Sequence, residues 1–444
     1  MRKKFYFAPP QILVLGFGGI ILIGAILLTM PVATTDGKGL SFLNALFTST
    51  SATCVTGLVV VDTGTAFTLF GQLVILCLIQ IGGLGFMTFA TLFALLVGKR
   101  ISLKERLLLQ ESLNNLSMEG IVRLARRILI FTAVIELIGA ILLSIRFSFD
   151  MPLGKAIYYG IFHSISNFNN AGFDLMGEFH SLTDYVEDPT VTLTICSLII
   201  LGGIGFIVMN DIFEYKKVRR LSLHTKVVLV TSLVLLITGT LGIYVLEFSN
   251  PKTLKPLSLT GKILASIYQS VTPRTAGSNT INIGDMTQSS LLLTIILMFI
   301  GASPGSTGGG IKTTTFTTLI GAVWSQIRGK EDVIFFRQRI VYETIYKALT
   351  VTLAGVFVVL FVTMILTITE HGKSFLMILF ESTSAFATVG LSMGLTPHLS
   401  SVGKAIIILS MFAGRVGPLT IAYAVTVRRN PDAFRYPKGK IMIG

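Results

Sequence analysis

Long apolar runs restrict this chain to a fold of helices that cross or enter a lipid bilayer. A helix needs about 20 predominantly apolar residues to cross the hydrocarbon core, where helices and closed barrels alone satisfy their backbone polar groups. Such runs occupy residues 12–30, 69–97, 128–145, 191–213, 227–246, 349–368 and 405–427. Charged residues make up 13% of the chain, against roughly 25% in soluble domains. We therefore predict an all-α integral membrane protein.

Charged residues alternate in sign between successive inter-helix segments. Basic residues concentrate in residues 2–4, 99–127, 216–226, 328–339 and 428–440, and the alternate segments carry most of the acids, such as Asp62, Asp174 and Glu370. Cytoplasmic segments are enriched in Lys and Arg, so the pattern predicts cytoplasmic termini and an even number of crossings. The net charge of +14 does not indicate nucleic-acid binding, because no single basic face unites the clusters.

A repeated pattern of small polar residues followed by glycine divides the chain. It reads STSATCVTGL at 49–58, SISNFNNAGF at 164–173, QSVTPRTAGS at 269–278 and STSAFATVGL at 382–391. The spans that follow contain IGGLGF at 81–86, LGGIGF at 201–206, AGRVGP at 413–418 and the altered GASPGSTGGGIK at 301–312. We predict four units, at 1–98, 99–215, 216–326 and 327–444, the last with a C-terminal tail. Each has a span, a short half-helix with a glycine loop and a second span, which gives eight crossings in a pseudo-four-fold arrangement.

The short segment before each glycine is too short to cross and is predicted to be re-entrant. Backbone outside a helix survives at membrane depth where it is buried in protein or lines water, so four such loops converge best on one pore. Stacked carbonyls can replace the hydration shell of a cation there, although each glycine could also merely form a turn. The candidate filter residues are Thr53, Cys54, Val55, Thr56, Gly57, Asn169, Asn170, Ala171, Gly172, Thr275, Ala276, Gly277, Ala387, Thr388, Val389 and Gly390.

The sequence resembles the superfamily of potassium transporters that includes the bacterial Trk and Ktr systems and the plant HKT proteins. The motifs at 51–57 and 168–173 carry most of this resemblance. The resemblance covers essentially the whole chain and is strongest to the pore subunits of Ktr systems. It implies uptake of K⁺ across the bacterial cell membrane, often stimulated by Na⁺, through a homodimer with one pore per subunit. It also implies a cytosolic regulatory ring of RCK subunits that binds nucleotide. No cofactor, and no metal beyond the transported ion, is expected on this chain.

The second span of the third unit is interrupted by a glycine-rich loop at 301–315. Glycine and proline break the helix there, and the resemblance implies that such a loop is the gate; a passive kink is the alternative. The candidate gate residues are Gly305, Ser306, Thr307, Gly308, Gly309, Gly310, Lys312 and Arg415. A phosphate-binding P-loop is excluded, because Ile311 separates Gly310 from Lys312.

Buried charges near the loops need partners, because an ionised group inside the membrane is costly. We expect Arg415 to face the pathway or to brace the loop through carbonyls, with a salt bridge to Glu136 or Glu381 as the alternative. Arg274 is expected to point behind the third filter segment, where Glu381 is a candidate anchor.

Two basic inter-unit stretches, 104–120 and 328–344, have helical character. They are predicted to lie on the membrane surface or, by the resemblance, to dock the regulatory ring.

Other functions remain as alternatives. A transporter selective for Na⁺, or for both ions, fits the same filter pattern. A secondary transporter of another solute predicts inverted repeats, whereas all four units here run in the same sense. An enzyme is disfavoured, because no HExxH motif, no nucleophile elbow and no carboxylate pair at catalytic spacing is present.

Overall fold

The computed structural model describes residues 9–85, 121–417 and 420–421, and the structure of this part of the chain is predominantly helical. In chain order the helices are α1 (Pro9–Leu28), α2 (Phe42–Thr53), α3 (Thr63–Ala66), α4 (Leu69–Leu84), α5 (Ile121–Phe147), α6 (Leu153–Phe168), α7 (Pro189–Ile204), α8 (Phe206–Val218), α9 (Leu223–Glu247), α10 (Leu259–Val271), α11 (Gln288–Phe299), α12 (Thr313–Ile327), α13 (Tyr342–Thr369), α14 (Phe375–Ala387) and α15 (Ser401–Val416). The strands β1 (Ile334–Phe335) and β2 (Gln338–Arg339) form an antiparallel hairpin between α12 and α13.

Four of the described helices, α1, α5, α9 and α13, are long and apolar enough to cross a membrane by themselves. Only 28% to 33% of the residues in their apolar windows are buried. Their outward faces carry large apolar side chains such as Leu22, Leu137 and Phe357. Exposed apolar surface of this extent is stable in lipid and not in water. The protein is therefore a helical membrane protein.

A short helix, α2, α6, α10 or α14, follows each long one. These helices have 12, 16, 13 and 13 residues. At 1.5 Å per residue such a helix covers about 18 to 24 Å, less than the hydrocarbon core of about 30 Å. By itself, such a helix is too short to span the bilayer.

Each long helix forms a group with the short helix after it and with the next apolar helix, α4, α7, α11 or α15. Glycine on the long helix lets the short helix pack closely in three of these four groups. A Cβ atom on Gly24 would lie 2.4 Å from the Oγ of Ser49, and that hydroxyl donates a 2.7 Å hydrogen bond to the carbonyl of Ile21. The same arrangement joins Gly139, Ser164 and Glu136, and Gly239, Ser270 and Leu236. Small residues at helix contacts permit this approach in membrane proteins. In the fourth group Gly355 faces the ring of Phe386 instead.

The groups pack in a closed ring. The last apolar helix of each group, α4, α7 or α11, contacts the short helix of the next group. The ring closes because α15, the last helix of the fourth group, contacts α2 of the first group. This packing buries the C-terminal ends of all four short helices at the centre.

The prediction of an uninterrupted span at 191–213 was wrong. The chain bends by 94° between α7 and α8, and the intervening Gly205 has φ +97°. Only glycine adopts that conformation without a Cβ penalty. The helices α4 and α15 end in the same way at Gly85 and Gly417, and the remainders of the predicted spans 69–97 and 405–427 lie almost entirely outside the described residues. An interruption is therefore not peculiar to the third unit.

Two smaller differences concern the inter-unit segments. Residues 328–341 of the stretch 328–344 are not helical, and they contain the β1–β2 hairpin. Its turn residues Phe336 and Arg337 have φ +48° and +65°. A fully helical path is excluded by these left-handed residues. The other stretch, 104–120, lies outside the described residues. The helices α8 and α12 end slightly beyond the unit boundaries proposed at 215 and 326.

Candidate functional site

Four glycines meet at the centre of the helix ring. A Cβ atom on Gly57 would lie 2.4 Å from the carbonyl oxygen of Ala171, beside Gly172. The corresponding distances run around the ring from Gly172 to Ala276 O (2.4 Å), from Gly277 to Val389 O (2.5 Å) and from Gly390 to Thr56 O (2.2 Å). All four glycines have positive φ, between +68° and +92°. Each loop therefore packs backbone against backbone with the next, and no side chain fits at these positions.

The loops share one conformation before the glycine. Val55, Asn170, Thr275 and Thr388 each precede their glycine by two residues and have φ of +58°, +59°, +73° and +51°. Left-handed backbone is uncommon and strained for residues other than glycine, and such strain clusters at functional sites. Its occurrence at the equivalent position of all four loops indicates that they are built to a common geometry.

Buried hydroxyl groups hold the loops against their short helices. The Oγ atoms of Ser51 and Ser384 accept 3.1 Å hydrogen bonds from the N–H groups of Gly57 and Gly390. In the other two loops, Ser166 and Thr272 donate to the carbonyls of Phe173 and Ser278. The C-terminal ends of α2, α6, α10 and α14 thus point at the glycine ring. A helix C-terminus carries partial negative charge, so the four ends favour a cation.

All sixteen residues predicted from the sequence as a filter lie in these loops or at the adjoining helix ends, and all but the half-buried Gly390 are buried. Five of their side-chain oxygens have no hydrogen-bond partner among the described residues: Thr53 Oγ1, Thr56 Oγ1, Asn169 Oδ1, Asn170 Oδ1 and Thr388 Oγ1. Buried polar atoms are otherwise nearly always paired. Unpaired oxygens beside the glycine ring suit a site that exchanges water for a cation.

A cavity of about 400 Å³ opens on one face of the glycine ring. We call this cavity the vestibule; it is lined by the four glycines and by side chains that include Asp62, Asp174 and His398. The carboxylate of Asp62 accepts hydrogen bonds of 2.8 Å from the N–H groups of Thr65 and Phe179. Burial, and to a smaller extent the charge of Asp62, raise the pKa of Asp174 to about 7.

In the sequence these two acids stand out only as part of the charge alternation. Their positions soon after Gly57 and Gly172 are the signal that could have placed them at the vestibule, because a chain that leaves the ring on this face has to pass the vestibule first.

The loop between α11 and α12 lies against the side of the glycine ring opposite the vestibule. A Cβ atom on Gly308 would lie 2.0 Å from Thr275 Oγ1, and one on Gly309 would lie 2.2 Å from Thr388 Oγ1. On the second unit, Ser303 donates its N–H to the carbonyl of Gly203 (3.0 Å), and Gly305 accepts from the N–H of Phe206 (2.9 Å). The predicted gate residues therefore lie together, immediately below the predicted filter.

Two cations fix this loop. The guanidinium group of Arg415 donates to the carbonyls of Thr307 and Gly82, and Lys312 Nζ donates to the carbonyls of Gly308 and Gly309 at 2.8 and 3.4 Å. Arg415 also occupies the place of the second glycine in the Gly-Gly pairs at 82–83 and 202–203, which brings its side chain to the loop.

The two carboxylates considered as partners of Arg415 bind elsewhere. Glu381 accepts from Thr396 and Ser392, and Glu136 accepts from Gln80 and Asn169. Glu381 does not anchor Arg274 either: the guanidinium group of Arg274 donates to Ser232 on α9 at 2.9 Å. Arg274 is thus directed behind its loop, and its pairing is with a hydroxyl and not with an acid.

No resident metal site is evident in residues 9–85 and 121–417: no group of three or more His, Cys, Asp or Glu side chains is placed to hold a metal ion.

Apolar helices that surround a central ring of four glycine loops define a polytopic helical membrane protein. The TrkH family, described as cation transport proteins, matches residues 14–435. This chain belongs to the TrkH family of cation transport proteins, and it is therefore a transporter and not an enzyme.

Three curated relatives are similar over the full length of the chain. Ktr system potassium uptake protein B of Bacillus subtilis is 48% identical, with 100% of this chain and 98% of the relative covered. The protein of the same name from Vibrio alginolyticus is 42% identical, with 100% and 96% covered. Potassium/sodium uptake protein NtpJ of Enterococcus hirae is 40% identical, with 100% and 98% covered.

Among solved structures, the potassium transporter TrkH from Vibrio parahaemolyticus matches with a TM-score of 0.72. It is 18% identical, and the match covers 96% of this chain and 86% of that one. This similarity shows that the two chains share a fold.

Proposed function

We propose that this protein takes up K⁺ through a pore whose selectivity filter is the glycine ring at Gly57, Gly172, Gly277 and Gly390. In this proposal the chain crosses the bacterial cell membrane eight times, as four units with one re-entrant loop each, and both termini lie in the cytoplasm. The apolar helices α4, α7, α11 and α15, each continued by the chain that follows it, supply the remaining crossings.

The observation that carries the proposal is the cyclic contact of the four glycine loops at the floor of the vestibule. Close backbone packing around one axis leaves main-chain carbonyls as the groups available to a passing ion, and carbonyl oxygens replace the hydration shell of K⁺ in channel filters. The four helix C-termini add negative potential at the same point. Two of the full-length relatives are named potassium uptake proteins, which supports K⁺ as the ion.

We further propose that the loop at 301–315 is the gate. It lies against Thr275 and Thr388 of the ring, so its removal from that position is needed for an ion to leave the filter on that side. Arg415 and Lys312 bind its carbonyls and hold it in the closed position. Opening then requires that these hydrogen bonds exchange for others.

Regulation by a partner is part of the same proposal. A cytosolic ring of RCK subunits that binds nucleotide is expected to act on the loop, and the functional unit is expected to be a homodimer with Na⁺ as a further activating ion. The word "system" in the names of two relatives supports a second component. Isolation of the protein from its native membrane by an affinity tag on this chain, followed by mass spectrometry, tests the expected partner.

A mixed Na⁺ and K⁺ transporter is the second candidate. The relative from Enterococcus hirae is named a potassium/sodium uptake protein. The glycine ring also lacks full symmetry, because Val55 stands where the other loops have Asn170, Thr275 and Thr388. A less symmetric oxygen cage discriminates less strongly between the two ions.

The decisive experiment is cation flux into liposomes that contain the purified protein alone. Uptake of K⁺ that exceeds uptake of Na⁺ under equal gradients supports a potassium pathway, and comparable rates support the mixed transporter. Absence of cation-dependent flux from both the full chain and a variant that lacks Gly308–Gly310 contradicts the pore itself.

A further inference from the structure

A single carboxylate lies directly behind the second filter loop. The hydroxyls of Ser49, Ser164 and Ser270 bond to equivalent carbonyls on α1, α5 and α9, those of Ile21, Glu136 and Leu236. Of these three equivalent positions, only the second carries an ionisable side chain. An acid within an apolar span is costly and marks a function by default. Glu136 is therefore expected to bind a specific partner.

Glu136 binds a residue of the filter segment. Asn169, fully buried at the end of α6, donates from Nδ2 to Glu136 Oε1 at 3.0 Å. The same nitrogen contacts Gln80 Oε1 at 2.8 Å and the carbonyl of Ile165 at 2.9 Å, and Gln80 Nε2 donates to the second Glu136 oxygen at 3.4 Å. Acceptors from α4, α5 and α6 therefore surround one amide group, so its orientation is fixed from three sides.

The contact continues across the ring. Asn170, next to Asn169, donates from Nδ2 to the carbonyl of Arg274 and to Thr275 Oγ1, both at 3.2 Å. The side chains of Glu136, Asn169 and Asn170 thus connect the outer helix α5 with the third filter loop through the second one. Glu136 accepts at the outer end of this connection, so its removal leaves the buried amide group of Asn169 with one acceptor fewer.

The other loops are held differently at the position of Asn169, three residues before the glycine. Cys54 has a thiol there, Ala387 has a methyl group, and Arg274 bonds to the hydroxyl of Ser232. Among these four equivalent positions, only Asn169 of the second loop bonds to a carboxyl group in the described structure.

We propose that Glu136 is a positioning residue that sets the preference of the pathway for K⁺ over Na⁺ by holding Asn169 and the second filter loop. The inference rests on the proposed function, in which the glycine ring is the filter. Discrimination between the two ions depends on how closely and how rigidly the oxygens surround the ion. A loop released from Glu136 can approach the smaller Na⁺, so selectivity falls while conduction continues.

The test compares K⁺ and Na⁺ flux in liposomes for the wild type and the variants Glu136→Leu, Glu136→Gln and Glu136→Asp. Leucine is the residue at the equivalent position of the third unit, Leu236. Glutamine keeps an oxygen that accepts from Asn169, and aspartate keeps the carboxyl group but shortens the side chain. The matched control is Ile21→Leu, which places the same residue at the equivalent position of the first unit, away from any amide at the filter.

We expect the K⁺/Na⁺ flux ratio to fall by about threefold or more in Glu136→Leu, because the hydrogen bond from Asn169 is lost and its buried amide group loses an acceptor. Glu136→Asp is expected to fall between that variant and the wild type, whereas Glu136→Gln and Ile21→Leu retain the wild-type ratio. The ratio is independent of the amount of folded protein, so a purely structural role of Glu136 leaves it unchanged.

Two results overturn the inference. One is a wild-type ratio in Glu136→Leu, or in Glu136→Asp when the leucine variant does not assemble. The other is an equal loss in the glutamine and leucine variants, because the hydrogen bond to Asn169 would then be irrelevant. Either result leaves the proposed function intact, whereas a wild-type protein without cation flux contradicts that function itself.

Discussion

The two faces of the glycine ring differ in charge and in access. On the vestibule face the ring opens into a cavity lined by the carboxylates of Asp62 and Asp174. On the opposite face the backbone of Gly308 and Gly309 touches the ring, and the cations Arg415 and Lys312 bind that loop. A cleft lined by acids raises the local concentration of cations, whereas fixed cations repel them. For the proposed pathway, the difference means that charge favours the arrival of an ion, whereas its departure depends on the loop.

The largest effect is expected from a change in the ring itself, which both faces share. In Gly57→Ser the new Cβ atom would lie 2.4 Å from the carbonyl of Ala171, and the residue would keep a positive φ. Strain of about 3 kcal/mol, or roughly a hundredfold in affinity, is expected from such a conformation and its displaced neighbour. We expect K⁺ affinity to fall by this order and relatively more Na⁺ to pass, as measured by flux at graded concentrations of each ion.

Gly18→Ser is the matched control for this change. A Cβ atom on Gly18 in α1 meets nothing within 4 Å, so the same substitution leaves affinity and selectivity at wild-type values there. Wild-type selectivity in Gly57→Ser contradicts the assignment of the ring as the filter.

The next effect separates the two faces. Deletion of Gly308–Gly310 removes the segment that touches Thr275 and Thr388 and leaves the vestibule unchanged. We expect K⁺ flux through the purified protein to rise by about tenfold, because the closed state loses contacts worth about 1.5 kcal/mol or more. Dependence on a regulator is expected to decrease. Unchanged flux in a deletion variant that elutes as a single species contradicts the gate.

A smaller change on the same face is Arg415→Gln. It removes a cation and weakens the hydrogen bonds to the carbonyls of Thr307 and Gly82, but the loop itself remains. We expect K⁺ flux to rise by roughly threefold to fivefold, less than after the deletion, since Lys312 still binds the loop. Arg328→Gln serves as control, because Arg328 stacks on Trp324 at the end of α12. A decrease in flux in Arg415→Gln would indicate that Arg415 supports the open state instead.

The sequence was sufficient to locate the four loops and the interrupted third unit, because these depend on local signals. A glycine that follows small polar residues at the end of a short apolar helix recurs four times, and Gly305 to Gly310 break a span visibly. The need of Arg415 for partners also followed from the cost of a buried charge. Which carbonyls it binds did not, because residues 82 and 307 are distant in the sequence.

The features that sequence reasoning missed have ambiguous local signals or depend on tertiary packing. Glycine is frequent in membrane helices, so the bend at Gly205 could not be distinguished from an ordinary packing contact such as that of Gly139. The hairpin at 334–339 has few residues and a sequence that also suits a helix. The contact of Glu136 with Asn169 depends on the rotation of α5 about its axis, which an apolar run does not specify.

The smallest effect concerns the vestibule face and its dependence on pH. The pKa of Asp174, raised to about 7 by burial and by the neighbouring Asp62, leaves its carboxyl group neutral below that pH and charged above it. Attraction of cations by the vestibule therefore weakens as the pH falls through about 7. We expect K⁺ uptake at subsaturating concentration to be about twofold lower at acidic than at alkaline external pH, and this difference to shrink at high ionic strength because salt screens it. Asp174→Asn is expected to lower uptake at alkaline pH and to abolish the step, whereas His398→Asn, which changes a histidine that lines the same cavity, is expected to retain it. Loss of the step in His398→Asn together with its persistence in Asp174→Asn assigns the pH dependence to the histidine and removes Asp174 from the electrostatics of the mouth.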